Sequence, residues 1–357
     1  MFRQDFMSLA KKYILRVGAI FGTALFFLSS PNPSSADQNT HPNFEIHHKK
    51  NDRLPKLKTA LPNYIQVFGL FIQATKRVPQ SKLLHAANIA ADFLDNNRDG
   101  IPDNKAINDE LWKKKSAIVM AYNERELEKL HDQFKELFID YSLQGLFATE
   151  TLPEGGPHNQ NSSKFDASIE EILHIITSVG YAGVYPKVFG EKKGSDLAKA
   201  MDKARGGYFR NVPRKYPSRA WYSYDDQTCD YGCQVTEYIY WAVTSLMNGQ
   251  NFKGRKQNIQ HEWKLNTPAK LRTNDKDVFN ILTNPKYLIP LRLPDGKYSK
   301  NRKQTSSIRL NIIETKDQLT INAFLSNESP LSLVPSKNKK INFPVKVELE
   351  QNKFSRL

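Results

Sequence analysis

The stretch Ser168–Tyr181 reads SIEEILHIITSVGY and predicts an amphipathic helix. At about 100° per residue, one arc of this helix is apolar and the opposite side carries two glutamates and a histidine. The apolar arc consists of Ile169, Ile172, Ile175, Ile176 and Val179, with Leu173 at its edge. Glu170 precedes His174 by four residues and Glu171 precedes it by three, so the three side chains can converge on one point. This polar face could hold a metal ion.

A second interpretation of the same residues stays open. Ser168 and Glu171 have the spacing of a capping box, in which the two side chains bond to backbone amides at the start of a helix. Two glutamates in a first turn also suit the positive end of the helix dipole. This interpretation needs no metal.

The segment Gln234–Met247, QVTEYIYWAVTSLM, predicts a second helix and places one acid, Glu237, in an apolar run. A buried carboxylate is costly unless it is paired, hydrogen-bonded or bound to a metal. Glu237 therefore needs a partner, and His174 is the candidate. We expect a nitrogen of His174 within about 3 to 5 Å of the Glu237 carboxylate, because both would lie roughly 2 Å from one zinc ion.

Several segments of the chain, in this order, resemble a family of secreted bacterial proteins. They are HAANIAADFLDNNRDGIPDN (85–104), FDASIEEILHIITSVGYAGVYP (165–186), WYSYDDQTCDYGCQVTEYIYWAVTSL (221–246), HEWKLNTP (261–268) and LPDGKY (293–298). The resemblance covers roughly residues 61 to 298. More distantly, the helices that carry Glu171-x-x-His174 and Glu237 resemble the core of zincin-type, gluzincin-like metalloproteases, whose usual motif is HExxH.

The zincin resemblance implies a role for each of four residues. Glu170 stands where the first histidine ligand would be, Glu171 is the general base, His174 is the second ligand and Glu237 is the third. The resemblance implies zinc or another divalent transition metal, and the set departs from the usual one, because two carboxylates and one histidine are more oxygen-rich than two histidines and one carboxylate. The implied activity is hydrolysis of a peptide or protein substrate. The alternative is a non-catalytic, calcium-binding extracellular or envelope-associated protein on the same scaffold.

The stretch Asp95–Asn104, DNNRDGIPDN, has the spacing of a calcium-binding loop. Side-chain oxygens fall at loop positions 1, 3, 5 and 9, a carbonyl at position 7 and glycine at position 6. These residues are Asp95, Asn97, Asp99, Asp103, Ile101 and Gly100. Position 12 is Ala106, where an EF-hand has glutamate, so Asp109 or a distant group would complete the shell. The other interpretation is a polar turn capped by Asp and Asn.

The predicted fold is mainly α within an α+β class: a zincin-like helical core with a small C-terminal β appendage. Residues 61–299 form the helical domain, including IQVFGLFIQATKRV at 65–78, and residues 37–60 form a polar linker. Residues 300–357 form a basic β-rich tail, with strands at 308–313, 319–324 and 341–349.

The first 36 residues have the basic start, short apolar run and small residues of a signal peptide cleaved near Ala36. We therefore expect a secreted or periplasmic protein without a membrane span after cleavage. Cys229 and Cys233 then suit a disulfide rather than a redox or zinc site. The chain has a net charge of +15, and much of it lies in a basic tail that could contact anionic envelope polymers. The sequence has no pattern typical of a specific nucleic-acid partner.

Overall fold

The computed structural model describes residues 44–133, 140–299, 308–314 and 319–325. The chain divides into two compact units, residues 1–307 and residues 308–357. The predicted signal peptide, the predicted strand at 341–349 and most of the predicted basic tail lie outside the described residues.

In its described part, the first unit begins with a short 3-10 helix (Pro55–Leu57), followed by four strands and three helices. They are β1 (Asn63–Val67), β2 (Leu70–Ala74), α1 (Gln80–Leu94), α2 (Lys105–Lys113), β3 (Ser116–Ala121), α3 (Glu124–Gln133) and β4 (Ser142–Phe147). The strands form one sheet in the order β1-β2-β3-β4. β1 and β2 are antiparallel, whereas β3 is parallel to both β2 and β4. This mixed sheet confirms the α+β class.

The remaining elements of the first unit are helical. They are α4 (Ser168–Ile175), a π-helical turn (Ile176–Tyr181), α5 (Ala182–Val184), α6 (Pro186–Phe189), α7 (Asp196–Ala204), α8 (Tyr231–Leu246), α9 (Arg255–Ile259), α10 (Pro268–Asn274) and α11 (Lys276–Thr283). The stretch 168–181 is thus helical throughout, as its periodicity predicts. Its last part winds more widely than an α-helix, with i to i+5 hydrogen bonds.

The prediction of a helix over residues 65–78 is wrong. This segment forms most of the β1–β2 hairpin, with Ile65 paired to Ile72. Phe68 has φ 52°, which makes the tight reversal between the strands. A Cβ on Gly69 would lie 2.1 Å from the carbonyl oxygen of Asn108, so only glycine fits at this close approach.

The sheet is buried on both faces. Ile72, Ile118 and Leu146 belong to the main core, which also contains the apolar residues of α1, α4 and α8. The opposite face carries a smaller cluster that includes Leu54 and Leu57, both fully buried. The sequence predicts a polar linker over residues 37–60, but within its described part Leu54 and Leu57 pack into this smaller cluster and belong to the folded unit.

The second unit, as far as it is described, is an antiparallel hairpin of β5 (Ile308–Glu314) and β6 (Leu319–Leu325), with Ile308 paired to Leu325. These strands coincide with the two predicted at 308–313 and 319–324. Among the described residues of the whole chain, the helices are too short or too polar to span a membrane.

Candidate metal centre

The side chains of Glu170, His174 and Glu237 meet in the main core. The Nε2 atom of His174 lies 3.7 Å from Oε1 of Glu170 and 3.7 Å from Oε1 of Glu237. Ligand atoms of all three residues lie within 4.8 Å of one another. The sequence predicts that the side chains of His174 and Glu237, 63 residues apart on two helices, lie close together. The structure places them in contact.

His174 is buried without a hydrogen bond. Its side chain is 2% exposed, and neither ring nitrogen has a hydrogen-bond partner among the described residues. The two 3.7 Å separations are too long for hydrogen bonds. They are close to the separation of about 3.3 Å between two ligands on one tetrahedral ion with bonds of about 2 Å. A buried imidazole without hydrogen bonds is costly, and a bound cation would remove that cost.

The helix α8 places Glu237 opposite α4. The start of α8 is fixed by the side chain of Asp230, which accepts a hydrogen bond from the backbone N–H of Cys233 at 2.9 Å. A disulfide joins Cys229 to Cys233 across the same turn. Farther along the helix, the hydroxyl of Tyr224 donates a 3.1 Å hydrogen bond to Oε1 of Glu237. This contact orients the carboxylate that faces His174.

Glu171 lies beside this group and does not cap the helix. The side chain of Gln144, on the edge strand β4, donates a 2.7 Å hydrogen bond to Oε2 of Glu171. Residue Ala167 precedes the first turn, and the described residues provide no side-chain cap there. The hydroxyl of Ser168 donates instead to Asp166 at 2.8 Å. The capping-box interpretation is therefore wrong, because both of its side chains bond elsewhere.

The electrostatics of the centre are dominated by buried carboxyl groups. Burial raises the pKa of Glu171 to about 8, with a further increase from Glu170, although His174 opposes both effects. Burial alone would lower the pKa of His174, but Glu237, Glu170 and Glu171 raise it to about 9. A cation bound among these residues would reduce the repulsion between the carboxylates.

Glu150 extends the acidic region, and the sequence did not single it out. It follows the end of β4, and its Oε1 accepts a 3.3 Å hydrogen bond from the backbone N–H of Phe147. Burial raises its pKa well above the ordinary value, and the charge of Glu171 adds to the increase. The available signal was its position three residues after the end of a strand, SLQGLF, whose last three residues are buried.

The loop Asp95–Asn104 is closed by hydrogen bonds to its own backbone. Asp95 is fully buried and accepts from the backbone N–H groups of Asp99 at 3.1 Å and Gly100 at 2.7 Å. It also accepts from the hydroxyl of Tyr298 at 2.5 Å. Asn97 Oδ1 accepts from the N–H of Asp99 at 2.8 Å.

The other predicted calcium ligands are more widely arranged. Oδ2 of Asp103 accepts from the backbone N–H of Asn96 at 2.9 Å, and the side chain of Ile101 is 66% exposed. Within the described part of the chain, Asp95, Asp99 and Asp103 do not form a group with all three oxygens within 4.8 Å. Calcium binding by this loop stays a prediction, and the hydrogen bonds are those of a polar turn.

Arg98 anchors the loop to the core. Its guanidinium makes a bidentate contact with Asp92 of α1, with Nε at 2.6 Å and Nη2 at 2.8 Å from the two carboxylate oxygens. It also contacts Asp295. Asp92 is fully buried and Arg98 is 2% exposed. The loop is therefore held to the core by a buried ion pair.

The candidate centre is defined by the geometry of this chain's own residues and not by similarity to another protein. Comparisons with family models, with curated proteins and with solved structures found no match for this chain.

Proposed function

We propose that this protein is a metal-dependent hydrolase of peptide bonds, with a zincin-like pair of helices, α4 and α8, around the reacting centre. The observation that carries the proposal is the convergence of Glu170 and Glu237 on the imidazole of His174, which has no hydrogen bond to any residue that the structure describes. Three protein ligands leave one position of a tetrahedral ion for water or substrate, which is the arrangement of catalytic zinc sites.

The three residues fit a divalent transition metal such as zinc. Imidazole nitrogen and carboxylate oxygen are both zinc ligands, and the surplus of carboxylates favours a doubly charged cation. When bound, such an ion supplies Lewis acidity that polarises a carbonyl and a water molecule.

Glu171 is the residue placed to move the proton. It neighbours the ligand Glu170 in sequence, and the hydrogen bond from Gln144 holds its carboxylate toward β4. In the proposed reaction Glu171 accepts a proton from the attacking water and returns it to the leaving amine. Tyr224 holds Glu237, and Gln144 holds Glu171, so both acidic groups are oriented before substrate binds.

A non-catalytic role is the second candidate, and burial is the observation that favours it. Glu170, Glu171, His174 and Glu237 are each less than 5% exposed, so a substrate reaches them only if the surrounding segments move. In this role the metal and the calcium-type loop stabilise an extracellular or envelope-associated binding protein. The proposed location is secreted or periplasmic in both cases, with the basic tail in contact with anionic envelope polymers.

Metal analysis and a peptidase assay on the purified full chain test the two candidates. The parent protein should contain a stoichiometric transition metal and cleave peptides. We expect His174→Gln to lose that metal and Glu171→Gln to keep it without turnover, because the amide preserves shape but cannot take a proton. His48→Gln is the matched control, since His48 is exposed and bonded to Asn63.

Three results would decide against the hydrolase. Full peptidase activity in Glu171→Gln would remove the proposed base. A parent protein that holds the metal but cleaves no peptide would support the binding protein. A parent protein that takes up no transition metal at all would overturn the metal centre itself.

A further inference from the structure

A second group of metal-ligand atoms lies at the start of α4. It consists of His85 from α1, His158 from the loop between β4 and α4, and Asp166 two residues before the helix. The Nε2 atoms of His85 and His158 lie 2.7 Å and 2.8 Å from the same oxygen, Oδ2 of Asp166. These three residues are distinct from the group around His174.

Asp166 is surrounded by more hydrogen-bond donors than one carboxylate can readily accept bonds from. Its Oδ1 faces the backbone N–H groups of Leu152 at 2.8 Å and Ser168 at 3.3 Å. Its Oδ2 faces the hydroxyl of Ser168 at 2.8 Å in addition to the two imidazoles. Five donors therefore compete for about four lone-pair positions, three of them at one oxygen.

The histidines can relieve this competition if they act as acceptors. A neutral imidazole carries one N–H and one lone pair, and which nitrogen has the proton depends on its surroundings. With the lone pair on Nε2, the imidazole would repel the carboxylate unless a cation lay between them. A divalent cation at this point would be bound by two nitrogens and one oxygen.

The group is shielded from solvent by the fold. Asp166 is fully buried, and the side chains of His85 and His158 are 6% and 8% exposed. The two imidazole rings are perpendicular, with centroids 5.5 Å apart. A Cβ on Gly296 would lie 2.4 Å from the His85 ring, so the segment around residue 296 packs directly on it.

We propose that His85, His158 and Asp166 form a second metal site, for zinc or a similar divalent transition metal. Two imidazoles and one carboxylate are a zinc ligand set, less oxygen-rich than the group of two carboxylates and one imidazole. The ligand atoms would need to separate by about 0.5 Å to reach the spacing of about 3.3 Å around a tetrahedral ion. His158 lies on a loop, so the movement of this ligand away from Asp166 requires no shift of a helix, whereas His85 on α1 would have to move through its side chain.

The site would tie three parts of the fold together. His85 belongs to α1, His158 to the loop 148–167 and Asp166 to the start of α4, which carries Glu170 and His174. An ion there would fix the start of α4, two residues before Glu170. Its role is to position α4, and it contributes no residue to the proposed reaction.

Zinc stoichiometry of the full chain tests this site separately from the first one. We expect two zinc ions per chain in the parent protein, one in His158→Gln and one in His174→Gln. If His158→Gln keeps the stoichiometry of the parent, the second site is wrong and the proposed function is unaffected. If the parent holds one ion that His174→Gln keeps and His158→Gln loses, the second site is supported and the hydrolase centre is wrong.

A crystal of the parent protein grown with zinc decides the case in which a variant does not fold. An anomalous-scattering peak bonded to Nε2 of His85, Nε2 of His158 and a carboxylate oxygen of Asp166 would support the site. Direct hydrogen bonds between the same atoms, with no peak there, would overturn it.

Discussion

Removing the hydroxyl of Tyr224 tests whether the group around His174 binds a metal. Tyr224→Phe deletes the 3.1 Å hydrogen bond to Oε1 of Glu237, the oxygen that lies 3.7 Å from His174. Loss of a hydrogen bond to a metal ligand typically weakens metal binding by about 10- to 100-fold. Because this bond is rather long and joins one neutral group to the carboxylate, we expect the lower limit, about tenfold or about 1.4 kcal/mol.

Tyr222→Phe is the matched control. The hydroxyl of Tyr222 donates a 2.8 Å hydrogen bond to the backbone carbonyl of Gln234, on the same helix and one turn before Glu237. Both tyrosines are at most 2% exposed. Each substitution should cost about 1 kcal/mol of folding free energy. Only Tyr224→Phe should change metal affinity.

The assay is competition for zinc between the protein and a chromophoric chelator, with urea unfolding of each variant alongside. The expected result is a tenfold weaker zinc affinity for Tyr224→Phe and parent affinity for Tyr222→Phe. Equal zinc affinities for the two variants and the parent would refute the assignment of Glu237 as a ligand held by Tyr224.

Three further predictions concern the rest of the fold. Arg98→Met should lower the free energy of unfolding by about 3 kcal/mol, since it leaves Asp92 buried without its bidentate partner. This loss should shrink at low pH as the Asp92 carboxylate, whose pKa is raised by burial, takes up a proton. Lys105→Met, which breaks an exposed ion pair, should cost less than about 0.5 kcal/mol in the same urea titration, and equal losses would contradict the argument. Calcium should raise the thermal midpoint of the parent, and an unchanged calcium response in the Asp95→Ala, Asp99→Ala double variant would place the ion elsewhere. A chain that ends after Ser299 should keep its helical circular dichroism because the described core precedes that residue, and a loss of that signal would show that the tail completes the core.

The meeting of His174 and Glu237 could be predicted because each residue is unusual in its own helix. Glu237 is an acid in an apolar run, and His174 lies at the middle of a polar face on a helix that is otherwise suited to a core. Burial makes such groups costly unless they meet a partner, and this constraint acts across any sequence distance. The same reasoning predicted that Glu171 lies near the centre. It did not predict the hydrogen bond from Gln144 to Glu171.

The hairpin at 63–74 could not be predicted from spacing alone. In a short apolar run such as YIQVFGLFIQA, residues two apart and residues three or four apart are both apolar, so strand and helix patterns overlap. The buried strand β2 has no polar side to show its alternation, since all five of its residues are buried. Within this run, Gly69 is the residue that indicates a turn and so favours a hairpin over a helix.

The capping box was a wrong prediction because a stronger acceptor lies nearby. The two carboxylate oxygens of Asp166 accept hydrogen bonds from the backbone N–H and the hydroxyl of Ser168. The hydroxyl therefore bonds to Asp166 and not to a backbone amide in the next turn. His158 was missed because it stands in a polar loop, GGPHNQNSS, whose composition does not indicate that a side chain is buried.

The hydrogen bond between Tyr298 and Asp95 joins residues 203 positions apart. Asn96 is tied over a similar span, since its side chain donates to the carbonyl of Arg292 at 2.8 Å. Contacts of such high sequence separation form late, because the entropy of closing the intervening loop is lost before the contact is gained. During synthesis, α1 and the loop after it must therefore wait for almost the entire first unit to emerge from the ribosome. The chain is bound to remain incompletely folded until then, whichever compartment it finally occupies.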